Sequence, residues 1–463
     1  MNVILVSLDT LRADRLGCYG HFRPTTPHLD RLAAQGTLFM EHFSPHIPTY
    51  PGHTTMLTGR DVYAHHVTGQ SAAFEPPADM PMLAERLKDA GYWTAAADNL
   101  GKWFTRGFDM VETYAWDTSL KREWRKGEAV LEASLRALNV AADQAQPFFL
   151  FLHFWDPHTP YLPPAPFDRM FFEGDERDPT NRSMDAVWAF EPFKWYFHEW
   201  MPGVTDIEFP KAQYDAEIAY MDACLGHVLT RLEELDLVDD TLLVITTDHG
   251  EELDEHGCWF DHHGLYDTNT RIPLILRLPG AVPAGRRVHG LTRSLDLVPT
   301  ILDYAGVAAE PLDGISMRPL IEADGPGVSR GTCDAIHMTE NTWMKKRAVR
   351  THAWKLIRAL EPDAHGFPEV ELYNLSEDPE EQRNVADAMP EQVAALTAIM
   401  EDHVRRRVET TGRPDPLPLQ PVPLKRVGKM QDSVPDKAGA AVGDEKLRDG
   451  DFIGYVRDDQ ERG

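Results

Sequence analysis

The chain has 463 residues, of which 42% are hydrophobic and 26% charged, a composition typical of a folded protein. Its formal net charge of −28 argues against nucleic acid and anionic membranes as partners, because both repel an acidic surface. No apolar run reaches the roughly 18 residues of a membrane span. The first residues also lack the basic segment and apolar core of a signal peptide, so we expect a cytoplasmic protein with no membrane partner.

Strand-like and helical patterns alternate along the first half of the chain. In chain order they are a strand at 2–8, helices at 29–35 and 82–89, a strand at 93–97, a helix at 128–142, a strand at 148–154, a helix at 212–235 and a strand at 241–247. Such alternation predicts an α/β fold with a doubly wound, mostly parallel sheet and helices on both faces. Ligands of such folds bind beyond the carboxyl ends of the strands.

The pattern predicts one large domain, a small appendage and a tail. We place the large α/β domain at 1–335, a C-terminal α+β subdomain at 336–412 and a Pro-rich, then polar, tail at 413–463. An aromatic-rich insertion at 162–210 could cap a binding site or could form only a local hydrophobic cluster. The tail should be an extended arm, disordered or packed on a neighbouring subunit in a homo-oligomer.

Two strand ends carry residues that metals prefer. Asp9 follows the first predicted strand, and the pair Asp248-His249 follows the strand at 241–247. Carboxylate oxygen and imidazole nitrogen are usual ligands of zinc and manganese. Taken singly, Asp9 could also be a helix cap and Asp248-His249 an exposed turn.

Thr49 lies in a Pro-Gly turn that leads into a short helical run. A residue there meets free backbone N–H groups and the positive end of the helix dipole, both of which favour an anion. A hydroxyl held on a metal at such a place can lose its proton and attack phosphorus. An ordinary N-cap is the alternative.

Taken in order, these and further motifs resemble the sulfatase branch of the alkaline phosphatase superfamily, from residue 1 to about residue 400. The matching stretches are Leu8-Asp9-Thr10-Leu11-Arg12, Thr49-Tyr-Pro51-Gly-His53 with Thr58-Gly59-Arg60, His153-Phe-Trp-Asp156-Pro-His158, Thr247-Asp248-His249-Gly250-Glu251 and Glu371-Leu-Tyr-Asn-Leu. The resemblance implies the fold of that superfamily and hydrolysis of a small-molecule phosphate or sulfate ester. It also implies one divalent ion held by Asp9, Thr49, Asp248 and His249. The ligand types favour zinc or manganese as the metal, whereas the resemblance makes calcium a further candidate.

The sequence departs from the sulfatase pattern at the catalytic position. Sulfatases carry a formylglycine made from Cys or Ser, and oxidation of Thr49 would give a ketone instead. His53 replaces the Arg that braces the formylglycine, and Thr10 replaces an Asp that binds metal in many sulfatases. We therefore predict a phosphodiesterase, phosphomonoesterase or phosphonate hydrolase that forms a phospho-threonine. A sulfatase that works without formylglycine, and an inactive relative that only binds a ligand, are the alternatives.

Several further residues are predicted to assist. His158 should contact the substrate oxygens or protonate the leaving group. His262 is preferred over His263 for the position of an anion-binding Lys. Lys102 or Asn99 could fill another cationic position, and Arg60 could hold the Thr49 loop. The predicted catalytic set is thus Thr49, His158, His262, Lys102 and Arg60, with His53, Asn99, His153 and His263 as predicted substrate contacts.

Overall fold

The computed structural model describes residues 1–70, 74–114, 126–323, 325 and 327–420. Most of the predicted arm at 413–463 therefore lies outside the described residues. Its first part packs on the chain's own large domain: Leu417 is buried, and Gln420 donates a hydrogen bond to the carbonyl of His66 at 2.7 Å. None of the described helices has both the length and the apolar character needed to cross a bilayer.

The described chain forms strands and helices in the following order. The strands are β1 (Asn2–Leu8), β2 (Thr37–Phe43), β3 (His46–Ile47), β4 (Trp93–Ala97), β5 (Met110–Glu112), β6 (Phe148–Phe154), β7 (Thr241–Thr246), β8 (Arg271–Arg277), β9 (Arg286–Val288), β10 (Thr292–Arg293), β11 (Gly327–Val328), β12 (Ala335–Asn341), β13 (Lys345–Thr351), β14 (Trp354–Ala359) and β15 (Val370–Asn374). The helices are α1 (Pro27–Gln35), α2 (Thr49–Thr58), α3 (Val62–His65), α4 (Leu83–Asp89), α5 (Gly127–Ala142), α6 (Asp185–Ala189), α7 (Glu191–Trp200), α8 (Glu208–Glu234), α9 (Asp267–Thr270), α10 (Leu297–Ala305), α11 (Arg318–Ile321) and α12 (Pro390–Thr411).

The large sheet has the strand order β11-β9-β2-β8-β7-β1-β6-β4-β5, with β10 beside β2. β1 lies between β6 and β7 and is parallel to both, whereas β8 runs antiparallel to β7 and β2. Every residue of β1, β6 and β7 is buried, as expected for central strands covered on both faces. Helices α1, α5 and α8 form one packed layer, and α2 packs with α4 and α10. The predicted α/β fold with a mostly parallel sheet is confirmed.

The small sheet has the order β15-β14-β13-β12-β3. Its strands are antiparallel except for β3, which pairs with β12 in parallel, Thr339 opposite His46. Because β3 ends two residues before Thr49, the small sheet also supports the segment that carries this residue. Helix α12 covers the sheet through Leu396 and Met400.

The aromatic insertion folds as α6 and α7 with loops around them. Its buried aromatic residues are Phe193, Tyr196, Phe197 and Trp200. Phe197 and Trp200 pack edge-on against Phe260, and the hydroxyls of Tyr196 and Thr159 are 3.0 Å apart. The insertion is thus a hydrophobic cluster that also contacts the loops following β6 and β7, and its role as a cap over a binding site stays a prediction.

Candidate metal and active site

The carboxyl ends of two adjacent parallel strands bring three metal-binding side chains together. Asp9 follows β1, and Asp248 and His249 follow β7, so the pairing of these strands places them at one edge of the sheet. All three are fully buried, and their ligand atoms lie within 4.8 Å of one another.

Thr49 completes this cluster from the first position of α2. Its Oγ1 lies 3.2 Å from Nε2 of His249, and the residue is 2% exposed. Nδ1 of His249 donates to the carbonyl oxygen of Gly250 at 2.9 Å, which leaves Nε2 as the unprotonated nitrogen. A metal-binding histidine needs this tautomer.

The donor set fits a divalent cation. Both carboxylate oxygens of Asp9 and one of Asp248 are buried without a hydrogen-bond partner, a costly arrangement unless a cation lies between them. Burial, and then repulsion by Asp248, raises the pKa of Asp9 to about 6. A bound metal ion would reverse this effect by favouring the ionised form. Two carboxylates, one imidazole and one hydroxyl suit zinc or manganese and also admit calcium.

His153 supports Asp9 from behind and does not contact the substrate side. It is fully buried at the end of β6, with Nδ1 2.8 Å from Asp98 and Nε2 3.4 Å from Asp9. Burial alone would lower the pKa of His153, but the carboxylates of Asp9 and Asp98 beside its two nitrogens outweigh it and raise this pKa to about 9. Because its ring is enclosed between two carboxylates, this position does not favour the predicted substrate contact of His153, which stays a prediction.

His53 has the same kind of place behind Asp248. Its Nδ1 lies 3.4 Å from Asp248 and 3.1 Å from the carbonyl oxygen of Thr49, and its Nε2 lies 2.9 Å from the hydroxyl of Ser7. Burial lowers the pKa of His53 to about 4, so the ring is neutral at pH 7. Since α2 turns His53 towards the sheet, this position does not favour its predicted substrate contact either, and that contact stays a prediction.

Two histidines extend the cluster on the side of His249. The ring of His262 stacks on His249 with centroids 4.8 Å apart, and the ring of His158 lies 4.9 Å beyond it. Nδ1 of His158 donates to the carbonyl oxygen of Thr159 at 2.7 Å. His263 points elsewhere, with its Nε2 2.9 Å from Nε2 of His365. The structure thus brings His158 and His262 to the cluster and places His263 in a different environment.

The remaining predicted residues divide between near and distant positions. Nζ of Lys102 lies over the ring of Tyr50, 4.8 Å from its centroid. Tyr50 directly follows Thr49 in the chain. The Asn99 side chain instead bonds both backbone groups of Tyr114, at 2.8 and 3.2 Å, and is committed to that turn. This arrangement does not favour its predicted substrate contact, which stays a prediction.

Arg60 lies beyond the opposite end of α2 from Thr49, a separation of about 15 Å for ten helical residues. Its guanidinium approaches Glu310 at 3.5 Å and Asp313 at 3.6 Å. The prediction that Arg60 belongs to the catalytic set is corrected, because the helix carries it away from the cluster.

Sequence reasoning missed four polar residues that surround the site. They are Ser7, Asp98, Glu251 and Asp261, all buried. Asp98 directly follows β4, at the same sheet edge as Asp9, so the rule that ligands bind at strand ends could have found it. Burial, then repulsion by Asp261, raises the pKa of Glu251 well above its ordinary value. Asp261 approaches Nδ1 of His262 at 3.2 Å and so orients that ring.

Two family models match the chain. The sulfatase model covers residues 1–307, and the model of the C-terminal region of N-sulphoglucosamine sulphohydrolase covers residues 254–409. The second match includes the small sheet and most of α12. Together the two models span both sheets.

Individual relatives are more distant but align over most of the chain. An N-acetylglucosamine-6-O-sulfatase of Bacteroides thetaiotaomicron is 25% identical, with 83% of this chain and 82% of that protein covered. A choline-sulfatase of Rhizobium meliloti is 24% identical, with 86% and 85% covered. The multifunctional alkaline phosphatase superfamily protein PehA of Trinickia caryophylli is 25% identical, with 70% and 78% covered.

Solved structures show the same fold. A phosphonate monoester hydrolase of Agrobacterium radiobacter superposes with a TM-score of 0.68 at 23% identity, covering 88% of this chain and 95% of the other. A protein solved in complex with its substrate D-glucosamine-2-N,6-O-disulfate superposes with a TM-score of 0.70 at 21% identity, covering 88% and 98%. The chain therefore belongs to the sulfatase family, within the alkaline phosphatase superfamily, and is an ester hydrolase.

Proposed function

We propose that this protein hydrolyses phosphate esters, with Thr49 as the nucleophile. The observation that carries the proposal is the 3.2 Å approach of Thr49 Oγ1 to His249 Nε2, at the edge of the Asp9, Asp248 and His249 cluster. A threonine side chain cannot be oxidised to an aldehyde, so the formylglycine reaction is closed to it. A hydroxyl at this place still suits attack on phosphorus.

Several residues of the cluster take part in the first step of the proposed reaction. A divalent cation held by Asp9, Asp248 and His249 would lower the pKa of the Thr49 hydroxyl. The Thr49 hydroxyl gives its proton to solvent, and its oxygen forms a bond to phosphorus as the bond from phosphorus to the ester oxygen breaks; when the enzyme is restored in the second step, the oxygen takes a proton back from solvent. The alcohol leaves with a proton, and a phospho-threonine remains.

His158 is the proposed proton donor to the leaving alcohol. Since its Nδ1 donates to Thr159, its Nε2 is the nitrogen that can gain or lose a proton. Burial lowers the pKa of His158 well below its ordinary value in the unliganded protein, and an anionic substrate beside the ring would raise it again. His262, oriented by Asp261, is the proposed contact of the non-bridging oxygens, and Lys102 adds positive charge beside Tyr50.

Water completes the cycle in the second step. It attacks phosphorus, the bond from phosphorus to Thr49 breaks, and phosphate or a phosphate monoester is released with the hydroxyl restored. His158, having lost its proton in the first step, takes the proton of this water. We propose zinc or manganese as the metal, with calcium as the alternative implied by the family.

A sulfatase that uses unmodified Thr49 is the second candidate function. The relatives favour this second function, since the choline-sulfatase and the N-acetylglucosamine-6-O-sulfatase are named for hydrolysis of sulfate esters. The chemistry weighs against it, because a sulfated threonine lacks the second hydroxyl through which a formylglycine hydrate expels sulfate. A third candidate is an inactive relative that only binds a ligand. The presence of all four predicted metal ligands argues against it.

The test is a panel of nitrophenyl phosphate, bis-nitrophenyl phosphate, phenylphosphonate ester and nitrophenyl sulfate with manganese, zinc and calcium. Thr49→Ala should reduce turnover of the best substrate by at least about 10³-fold. Thr58→Ala, at the other end of the same helix, is the matched control and should keep it. Acid quenching during turnover should leave a phosphate on Thr49 that mass spectrometry detects. Faster turnover of the sulfate than of every phosphorus ester would overturn the proposal in favour of the second candidate.

A further inference from the structure

A second cluster of ligating side chains lies next to the active-site loop and takes no part in the mechanism above. Cys258 and His263 lie in the loop between β7 and α9, and His365 lies between β14 and β15. The sulfur and one nitrogen of each ring are all within 4.8 Å of one another. Cys258 and His263 are fully buried, and His365 is half-buried.

The rings of His263 and His365 face each other at a short distance, where a cation could bind between them. Their Nε2 atoms are 2.9 Å apart. Nδ1 of His263 faces a carboxylate oxygen of Asp261 at 3.7 Å, which favours the proton on Nδ1, and the carbonyl of Gly257 is an acceptor for the His365 ring. If both rings carry their proton on Nδ1, the two Nε2 lone pairs point at each other, whereas a ring with its proton on Nε2 would donate that proton to the other ring.

Either a shared proton or a metal ion would relieve this repulsion. Burial lowers the pKa of His365 to about 2, which works against an extra proton. The thiol of Cys258 supplies a third ligand atom, and its pKa is raised well above the ordinary value by burial, so the sulfur stays neutral without a metal ion. Thiolate sulfur and imidazole nitrogen are the ligand types that zinc takes in proteins, and a carboxylate behind a metal-binding histidine is a usual companion.

We propose that Cys258, His263 and His365 bind one zinc-like ion, separate from the catalytic ion. Binding would release the thiol proton of Cys258 to solvent, and the fourth tetrahedral position would hold water. Cys258 and His365 are more than a hundred positions apart, so no short spacing motif in the sequence marks this site.

The position of this site indicates what the ion would do. The His365 ring is stacked between Phe190 of the insertion and Phe367 of the small-sheet loop, with centroids 4.4 and 5.3 Å away. His263 adjoins His262, which lies beside the catalytic cluster. The ion would therefore connect the insertion, the small sheet and the active-site loop. It would also fix the position of His263, the residue that follows His262.

The first test uses the full-length protein purified without chelator. Metal analysis should find one zinc fewer per chain in Cys258→Ser and in His365→Ala than in the wild type. Cys224→Ser, which changes another buried thiol, should retain the full content. Unchanged zinc in both Cys258→Ser and His365→Ala would overturn the proposal and leave a shared proton between the rings as the explanation.

A second measurement guards against variants that fail to fold. Cobalt-substituted wild-type protein should show a thiolate-to-cobalt charge-transfer band, since the catalytic cluster contains no sulfur. Asp248→Asn should keep this band, and Cys258→Ser should lose it. X-ray absorption of the zinc form should show one sulfur at about 2.3 Å. A wild-type cobalt spectrum without a thiolate band would overturn the proposal, whatever the activity of the catalytic site.

Discussion

His153 shows how one buried side chain can orient a predicted metal ligand from behind. Its ring holds Asp9 on one side and Asp98 on the other. Substitution His153→Ala would remove the positive partner of both carboxylates and free Asp9 to turn. We expect manganese or zinc affinity to fall by about 10 to 100-fold, the usual effect of losing an outer-shell partner, as measured by calorimetric titration of metal-free protein.

The matched control for this experiment is His158→Ala. The ring of His158 lies beyond His262, and its Nδ1 donates to the carbonyl oxygen of Thr159, so metal affinity should stay the same while turnover falls. If His153→Ala bound metal as tightly as the wild type, the bridging role of this ring would be refuted.

Residue types in a motif predict a neighbourhood better than they predict an orientation. The four predicted metal ligands, Asp9, Thr49, Asp248 and His249, do lie together. His53 and His153 come from the same motifs and are equally near in sequence, yet their rings point behind the ligands. What separates the two groups is the direction of a side chain at a strand end or helix turn, and that depends on packing which the sequence does not display.

At the scale of elements, α2 packs unusually closely against the loop that carries Asp248. A Cβ built on Gly52 would lie 2.9 Å from the backbone oxygen of Asp248 and 3.2 Å from its Cβ. Since both contacts are with atoms that cannot rotate away, Gly52→Ala should push the helix and the metal ligand apart. We expect a loss of about 1 to 3 kcal/mol of stability and a disproportionate loss of turnover, seen by denaturant unfolding and by assay.

Gly327→Ala is the matched control, because its Cβ would meet only a carbonyl oxygen 3.6 Å away at the edge of the large sheet. This variant should unfold and turn over like the wild type. Equal behaviour of the two alanine variants would show that the Gly52 contact can relax without cost.

The elements themselves are well predicted where one apolar pattern runs through them. The continuous apolar runs of β1, β6 and β7 mark central strands, and the structure has them side by side. The pairing of β3 with β12 was not predictable in the same way. It joins two short segments nearly three hundred residues apart, and its register depends on the completed fold of both sheets.

At the scale of the whole molecule, buried ion pairs connect the two sheets of an otherwise strongly acidic protein. Nζ of Lys355, on β14, lies 2.5 Å from Asp267 and 2.7 Å from Glu381, and all three are largely buried. Asp267 begins α9 beside the large sheet, and its backbone N–H donates to Glu381. This network therefore makes the stability of the catalytic domain depend on the small sheet.

Lys355→Met should reveal this dependence through pH. The variant leaves Asp267 and Glu381 without their lysine, which should cost about 3 to 5 kcal/mol of folding stability near pH 7.

Burial would raise the pKa of Asp267, but Lys355 and then Arg350 outweigh it and hold this pKa below the ordinary 3.8. The stabilisation is therefore present above pH 3.8 and is lost as the pH falls below that value. Burial raises the pKa of Glu381 to about 7 despite Lys355, so its unpaired charge in the variant is also most costly at high pH. The difference between wild type and variant in urea unfolding should therefore shrink from pH 7 to a pH below 3.8, while Lys194→Met, which removes an exposed ion pair on α7, should differ little from wild type at either pH. A penalty for Lys355→Met that is the same at both pH values would show that lost packing of the lysine stem, and not its charge, joins the two sheets.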